Sequence, residues 1–146
     1  MNNDLVIDIV YHEAGLEKIE KINMGDWIDL RAAETVELEK GQSALISLGV
    51  SMRLPEGYEA NIVPRSSTLS KYGVLQGNHF AVIDNSYSGT NDVWKFSAYA
   101  IRDTKIFMNE RICQFRLNKV QPKVTFNVVS ALDKEDRGGF GSTGSK

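Results

Sequence analysis

The chain of 146 residues is long enough for one domain with a sizeable core. Its 17 basic and 19 acidic residues leave a net charge of −2, which argues against a fold-wide basic face for nucleic acid. The single cysteine, Cys113, cannot form an intramolecular disulfide and is expected to be a small buried side chain. No stretch approaches the roughly 18 apolar residues that span a bilayer, and no basic secretory signal is visible. We therefore expect a cytoplasmic protein that binds neither membranes nor nucleic acid.

Short apolar segments separated by turn residues predict an all-β sandwich or barrel of about ten strands. The expected strands lie within residues 6–11, 25–33, 36–39, 44–54, 58–63, 80–83, 93–100, 104–107, 111–117 and 123–129. Residues 44–54 are expected to form one long strand with apolar positions at Leu45, Leu48, Val50, Met52 and Leu54. In residues 93–100, one face is expected to carry Trp94, Phe96, Ala98 and Ala100.

Residues 65–73 interrupt this series of strands. Serines that follow Pro64 can cap a helix, and Gly73 can end one, so a short helix is expected here. The composition changes again after Ala131, where the chain becomes charged and then rich in glycine and serine. A frayed terminus would explain this composition. We expect a body at residues 1–130 and a mobile C-terminal arm at residues 131–146.

The segment from Phe80 to Gly89 joins an apolar run to a carboxylate, a turn and an aromatic ring. This order predicts a β-hairpin with Asp84 at the end of a strand and Tyr87 on the turn. Taken alone, Asp84 could be an ordinary turn residue, because aspartate often hydrogen-bonds to nearby backbone in turns.

Four other segments contain residue types that suit a nucleoside polyphosphate. Arginine binds phosphate through two N–H groups, hydroxyls and free N–H groups hold anions, and glycine allows close approach of the backbone. A carboxylate suits Mg²⁺, usually with waters retained between them. Each residue also has an ordinary interpretation as a surface ion pair, a solvated strand residue or a turn acid. The segments are Ile28–Ala32 around Asp29, Pro64–Ser67, Glu110–Gln114, and the tail from Arg137 to Gly144.

Together with the hairpin, these segments resemble the five ordered motifs of the trimeric all-β deoxyuridine triphosphatase (dUTPase) family, which hydrolyses dUTP to dUMP and pyrophosphate. The resemblance covers residues 29–144. Its most specific parts are Pro64-Arg65-Ser66-Ser67, Val82-Ile83-Asp84 with Tyr87 and Gly89, and Gly139-Phe140-Gly141-Ser142-Thr143-Gly144. The resemblance implies a jelly-roll-like β-sandwich or distorted barrel, a homotrimer with active sites between subunits, dUTP as substrate and Mg²⁺ as cofactor.

The resemblance also implies a role for each matched residue. Asp84 is expected to be the general base that activates a water for attack on the α-phosphate. Tyr87 is expected to pack against deoxyribose and leave no room for a 2′-hydroxyl, and Asn78 is expected to read uracil together with the backbone of residues 80–82. Asp29 is expected to hold Mg²⁺ through water. The remaining substrate-binding residues are expected to be Arg65, Ser66, Ser67 and Gln114 near the phosphates, Arg137, Ser142 and Thr143 at the γ-phosphate, Gly141 in the tail, and Phe140 over the uracil.

The chain departs from the family pattern at several places. Trp27-Ile28 stands where the family usually has Ala-Gly, Ala81 and Asn109 replace usual glycines, and two residues are missing between Arg137 and Phe140. Two residues span up to roughly 7 Å of extended chain, which puts the reach of Arg137 in question. Trp94 or Phe96 could then share the role of a lid over the base.

Two alternative functions remain open from the sequence. A dCTP deaminase shares the fold and an Arg-Ser-Ser segment, but that family carries an arginine shortly after the serines, where this chain has Lys71. A regulatory module could instead use the nucleotide and the mobile tail to control binding of a protein partner.

Overall fold

The computed structural model describes residues 4–139 and 141. Those residues form eleven strands and one short helix, which confirms the predicted all-β, jelly-roll-like fold. No helix in this part of the chain is long and apolar enough to cross a membrane. In chain order the elements are β1 (Asp8–Tyr11), β2 (Ile28–Arg31), β3 (Val36–Leu38), β4 (Ser43–Ser47), β5 (Val50–Arg53), β6 (Tyr58–Pro64), α1 (Thr68–Tyr72), β7 (Val74–Gln76), β8 (Ala81–Ile83), β9 (Lys95–Ala100), β10 (Thr104–Ile106) and β11 (Arg111–Lys119).

The strands form a four-stranded sheet in the order β2-β11-β6-β8 and a three-stranded sheet in the order β4-β9-β7. Two strand pairs, β1-β5 and β3-β10, complete the fold, and all of these pairings are antiparallel. One cluster of buried side chains joins the sheets. At its centre the rings of Trp94 and Phe115 meet edge to face, with centroids 5.2 Å apart. Cys113 lies in this core as expected, and burial raises the pKa of its thiol.

Strand β9 alternates as predicted, with one face in the core and the other towards solvent. Trp94 and Phe96 are 0% and 1% exposed, and Ala98 and Ala100 are also buried, whereas Lys95 and Tyr99 are exposed. The suggestion that Trp94 or Phe96 shares a lid role is therefore wrong, because neither ring can reach a ligand from the core.

The prediction of one long strand over residues 44–54 is wrong. The segment forms β4 and β5, which belong to different sheets and are separated at Gly49, where φ is +68°. The break changes which residues face inward: Leu45 is 65% exposed and Ile46 is buried. A side chain on Gly49 would collide with Leu16 and Ala33, so the bend requires glycine for both its conformation and its packing.

The predicted hairpin at residues 80–89 is also wrong in its pairing. Strand β8 pairs with β6, and the next strand, β9, pairs with β4 and β7 in another sheet. The long loop between β8 and β9 contains Asp84 and Tyr87. Local sequence signals a strand end and a turn, but the pairing partner is set by contacts distant in sequence.

The strand predicted at residues 123–129 does not form within the described chain. Phe126 and Val128 are 92% and 94% exposed, and Val124 is exposed as well. Alternating apolar residues indicate a strand only where a second backbone can pair with them. This segment has no such partner in the described residues.

Helix α1 is confirmed, and Gly73 ends it in the left-handed conformation, with φ of +62°. Ser67 occupies the N-cap position without a side-chain cap bond. Thr68 Oγ1 instead accepts the Arg65 N–H at 2.9 Å and donates to the Ile112 carbonyl at 2.9 Å. At the other end, Tyr72 Oη donates to Glu110 Oε2 at 2.5 Å. These contacts fix α1 against β11 and so orient the segment that carries Arg65.

Replacement of Gly49 by alanine should destabilise the fold by about 2–4 kcal/mol, through left-handed strain and overpacking. The added Cβ would lie 2.6 Å from Ala33 Cβ and 2.8 Å from Leu16 Cδ2. Urea unfolding at a fixed protein concentration measures the loss. Gly57→Ala is the matched control, because Gly57 has φ of +82° and no atom near the added Cβ. Equal losses in both variants would contradict the packing at Gly49.

Replacement of Tyr72 by phenylalanine should lower the free energy of unfolding at neutral pH by about 1–3 kcal/mol, because it removes a hydrogen bond to a charged group. Burial raises the pKa of Glu110, but the hydrogen bonds from Tyr72 and the Phe107 N–H, together with Lys71, outweigh burial and leave this pKa below its ordinary value. A lowered folded-state pKa stabilises the fold above the unfolded-state pKa, and the contribution is lost as pH falls through the folded-state value.

The stability difference between the wild type and Tyr72→Phe should therefore shrink as pH falls through the range in which Glu110 takes up its proton. Denaturant unfolding of both proteins across the acid range measures this change. A difference that stays constant from neutral pH to the acid end of the titration would contradict the link between Tyr72 and the Glu110 carboxylate.

Candidate functional site

Two arginines share one carboxylate where β2, β6 and β11 meet. Asp29 lies on β2, Arg65 follows β6, and Arg111 begins β11. Asp29 Oδ1 is 3.2 Å from Arg65 Nε, and Asp29 Oδ2 is 3.6 Å from Arg111 Nη1. Arg65 Nη1 also donates to the Arg111 carbonyl at 3.4 Å. Two positive charges against one negative charge leave this partly buried cluster positive, which suits an anion such as phosphate.

Polar groups next to this cluster differ in how much of their bonding capacity is free. Gln114 pairs with Asp29 across the sheet, and its Nε2 donates to the Pro64 carbonyl at 3.1 Å. Ser66 is exposed and Ser67 is partly buried. Neither serine hydroxyl has a hydrogen-bond partner within residues 4–139, so both are available to a ligand. The sequence-predicted Asp29, Arg65, Ser66, Ser67 and Gln114 are thus brought together on one chain.

Within the described part of the chain, Asp29 has no further protein ligands with which to form a cation site. Among the residues that the structure describes, no group of three or more His, Cys, Asp or Glu side chains could hold a metal ion. Both Asp29 oxygens lie next to guanidinium groups. Asp29 could therefore hold a cation only through water, and a bound ligand would have to supply most of the oxygens that coordinate the cation.

Asp84 lies in the loop directly after β8 and is exposed. Its Oδ2 accepts hydrogen bonds from the Ser86 N–H, at 2.9 Å, and from Ser86 Oγ. These bonds from Ser86 lower the pKa of Asp84 below its ordinary value. The carboxylate is therefore ionised at neutral pH. The sequence analysis missed Ser86, although an Asp followed two residues later by Ser is typical of a side-chain turn.

Asp84 and Tyr87 border the same cavity of about 350 Å³, together with Val82, Ser86 and Lys95. Tyr87 Oη donates to the Val93 carbonyl at 3.0 Å, which ties the partly exposed ring to the end of the loop. The structure thus places a fixed aromatic ring beside an ionised carboxylate.

Asn78 lies in the turn between β7 and β8, at the wall of a second cavity of about 660 Å³. Pro64, Gly77, His79 and Tyr99 also line this cavity. The turn is tight, because the Asn78 carbonyl accepts the Phe80 N–H and His79 has φ of +56°. Asn78 and Asp84 therefore flank β8 at its opposite ends.

The positive cluster and Asp84 lie far apart within one chain. In the β6–β8 pairing, Ile62 faces Ala81 and Ala60 faces Ile83. The next residue after β8, Asp84, therefore lies opposite Glu59. Arg65 follows the other end of β6. At ~3.3 Å per residue, the strand separates the two backbones by roughly 20 Å. An arginine and an aspartate side chain cannot both contact one small group across that distance.

The tail residues contribute little that can be described. Arg137 and Gly141 are exposed, and Gly141 has φ of +88°. Arg137 forms no ion pair or hydrogen bond with the described part of the chain. Phe140, Ser142 and Thr143 lie outside the described residues. The predicted contacts of all five residues with a nucleotide stay predictions.

The chain is similar in sequence to known dUTPases. The dUTPase family model matches residues 27–144. The SPbeta prophage-derived deoxyuridine 5′-triphosphate nucleotidohydrolase of Bacillus subtilis is 55% identical over 140 residues, which cover 96% of this chain and 99% of the relative. The deoxyuridine 5′-triphosphate nucleotidohydrolase of Hahella chejuensis is 38% identical over 126 residues, which cover 82% of this chain and 80% of the relative.

Solved structures show the same fold at low sequence identity. A mutant dUTPase of Staphylococcus bacteriophage 80alpha with dUpNHpp has a TM-score of 0.78 and 20% identity, and the match covers 96% of this chain and 99% of that one. The dUTPase of phage phi11 of S. aureus, described with a structural Mg(II) ion, has a TM-score of 0.75 and 17% identity, over 85% and 97% of the two chains. From the extent of the family match and the identity to the prophage relative, the chain belongs to the dUTPase family.

Proposed function

We propose that this chain hydrolyses dUTP to dUMP and pyrophosphate. One observation carries the proposal: within a chain of the dUTPase family, Asp84 is an anchored carboxylate with a lowered pKa, beside the ring of Tyr87. A carboxylate that is ionised and fixed in direction at neutral pH can accept a proton from a bound water.

In this mechanism Asp84 takes a proton from a water as the water oxygen attacks the α-phosphorus. The new bond joins the water oxygen to the α-phosphorus, and the bond from that phosphorus to the bridging oxygen of the β-phosphate breaks. Pyrophosphate leaves with the electron pair of the broken bond, and dUMP remains. The proton on Asp84 then passes to solvent, which is accessible because the carboxylate is exposed.

The positive cluster of Asp29, Arg65 and Arg111 would bind the phosphates. Its net positive charge offsets part of the charge of a triphosphate, and the free hydroxyls of Ser66 and Ser67 can donate to phosphate oxygens. Mg²⁺ bound by the triphosphate would neutralise further negative charge, and Asp29 would hold it through water.

The two ends of β8 suit the two ends of a nucleoside. A deoxyuridine laid along β8 would have its base near Asn78 and its 5′ end near Asp84. Asn78 and the backbone of residues 80–82 would read the uracil edge, and cytosine presents the reversed donor and acceptor pattern there. Tyr87 would pack against the deoxyribose and exclude a 2′-hydroxyl.

The active site would then need more than one chain. With the base near Asn78 and the α-phosphate near Asp84, Arg65 of the same chain lies towards the base end of the nucleotide, because Pro64 and Asn78 border one cavity. A second copy could bring its positive cluster to Asp84. The exposed apolar side chains of Val124, Phe126 and Val128 support such self-association, since a partner chain would remove them from water. The family resemblance makes a homotrimer the proposed assembly, with the tail of Arg137 and Phe140 closing over the nucleotide.

The two alternatives have no comparable support. At the position where a dCTP deaminase would be expected to carry an arginine, Lys71 lies 3.7 Å from Glu110 Oε2 and over the ring of Tyr72, so it is engaged within the fold. No specific contact in the described residues favours a regulatory module gated by nucleotide.

The proposed function predicts release of pyrophosphate from dUTP at a kcat/KM at least about 100-fold above that for dCTP, dTTP or UTP, since each competitor leaves a polar group unpaired or adds a group that must be excluded. A coupled pyrophosphate assay with all four nucleotides at matched Mg²⁺ measures this preference. Equal rates on the four nucleotides would contradict the proposed function, and ammonia release from dCTP would instead support the deaminase.

Asp84→Asn should lower kcat by about 100-fold or more while dUTP affinity stays within a few-fold, because the amide keeps the shape but accepts a proton poorly. Single-turnover kinetics and equilibrium binding of a non-hydrolysable dUTP analogue separate the two effects. Asp92→Asn is the matched control: Asp92 accepts the Gly89 N–H in the same loop and lies outside the cavity at Asp84. Unchanged turnover in Asp84→Asn would remove Asp84 from the mechanism.

A further inference from the structure

Two donors of Ser86 converge on a single oxygen of Asp84. The Ser86 N–H lies 2.9 Å from Asp84 Oδ2, and Ser86 Oγ donates to the same oxygen. The other carboxylate oxygen, Oδ1, has no hydrogen-bond partner among residues 4–139. The contact therefore divides the carboxylate into one oxygen that is held by the loop and one that is open to solvent.

Four hydrogen bonds other than those of Ser86 hold the loop. Asn85 Nδ2 donates to the carbonyls of Pro55 and Tyr58, at 2.9 and 2.8 Å. The Tyr87 N–H donates to the Asp84 carbonyl at 2.9 Å, and Ser88 Oγ donates to the Asn85 carbonyl at 2.7 Å. These four bonds attach the loop to the turn after β5 and close it on itself. Among the described residues, the Ser86 hydroxyl makes its one hydrogen bond to the Asp84 carboxylate.

We propose that Ser86 is a positioning residue for the hydrolysis of dUTP, which anchors Asp84 Oδ2 so that Oδ1 is directed at the attacking water. The inference rests on the proposed function, because it assigns Asp84 as the base. A free aspartate side chain rotates about its two torsions, and each rotation moves both oxygens. Fixing one oxygen at two donors restricts that rotation and prepares the other oxygen to accept a proton in one direction.

The same bonds favour the ionised form of the base at lower pH. Hydrogen bonds from Ser86 favour the ionised form and lower the pKa of Asp84. Removal of the hydroxyl leaves only the backbone N–H, so the pKa of Asp84 should rise and the acid limb of kcat/KM against pH should move to higher pH. A role of Ser86 in loop stability alone would not move this limb.

The test compares four full-length proteins: wild type, Ser86→Ala, Ser86→Thr and Ser88→Ala. In Ser86→Ala, kcat for dUTP at neutral pH should fall about 10-fold with KM within about 2-fold, and the acid limb should shift upward. Ser86→Thr retains a hydroxyl and should stay within about 3-fold of wild type, with the limb unmoved. Ser88→Ala removes a hydroxyl from the same loop that does not touch Asp84, and its acid limb should match wild type.

A second readout is independent of activity. In protein labelled with ¹³C at aspartate, the signal of the Asp84 carboxyl carbon is identified by its loss in Asp84→Asn, and its titration midpoint is measured without nucleotide. The midpoint should be higher in Ser86→Ala than in wild type, Ser86→Thr or Ser88→Ala. An unmoved midpoint in Ser86→Ala, with normal hydrolysis by wild type, overturns the role of Ser86 and leaves the proposed function intact. A wild type that does not hydrolyse dUTP overturns the proposed function, and with it any catalytic use of this anchor.

Discussion

The antiparallel pairing of β6 with β8 is the constraint on which the arrangement of this protein depends. It places Arg65 beyond one end of β6 and Asp84 beside the other end, roughly 20 Å away. Each chain therefore holds two separate halves of the proposed site: a positive cluster suited to phosphate, and a carboxylate with a tyrosine suited to the chemistry at deoxyuridine. Because strand pairing fixes this separation rigidly, movement of side chains cannot remove it, and association of chains is the simplest way to bring the two halves together.

The two aspartates of the proposed site have different neighbours and therefore suit different tasks. Asp29 lies between the guanidinium groups of Arg65 and Arg111, where its charge is compensated and its main effect is to hold those groups in place. Asp84 faces solvent. The neutral donors of Ser86 keep its carboxylate ionised and leave its negative charge uncompensated. A paired carboxylate organises a binding site, whereas an anchored but unpaired one remains free to accept a proton.

The sequence alone predicted what depends on local pattern. The alternation in β9 and the end of α1 at Gly73 are each encoded within a few neighbouring positions. The residues proposed for the site follow instead from the resemblance to the dUTPase family, and Arg111 was not among them. The pairing of β8 with β6 could not be predicted, because it joins residues about twenty positions apart in the chain. The break at Gly49 was missed because the apolar residues on either side of it, Leu48 and Val50, suggested one continuous strand. In the structure, the strands separate at this glycine. Residues 123–129 have the pattern of a strand, but that pattern gives no indication of whether a partner lies in the same chain. The contact from Ser86 to Asp84 is a local side-chain turn, and the two-residue spacing of Asp and Ser could have predicted it.

A subunit-mixing experiment tests most directly whether the two halves come from different chains. Arg65→Ala disables the positive cluster, Asp84→Asn disables the base, and each variant alone should have little activity on dUTP. Unfolding and refolding the two variants together would form mixed assemblies, some of which contain a site with an intact Arg65 from one chain and an intact Asp84 from another. If the site is shared, the mixture should regain a substantial fraction of wild-type kcat, well above either variant refolded alone. A mixture that exchanges subunits, as shown by mass spectrometry of differently labelled chains, yet stays as inactive as its parents would contradict a shared site.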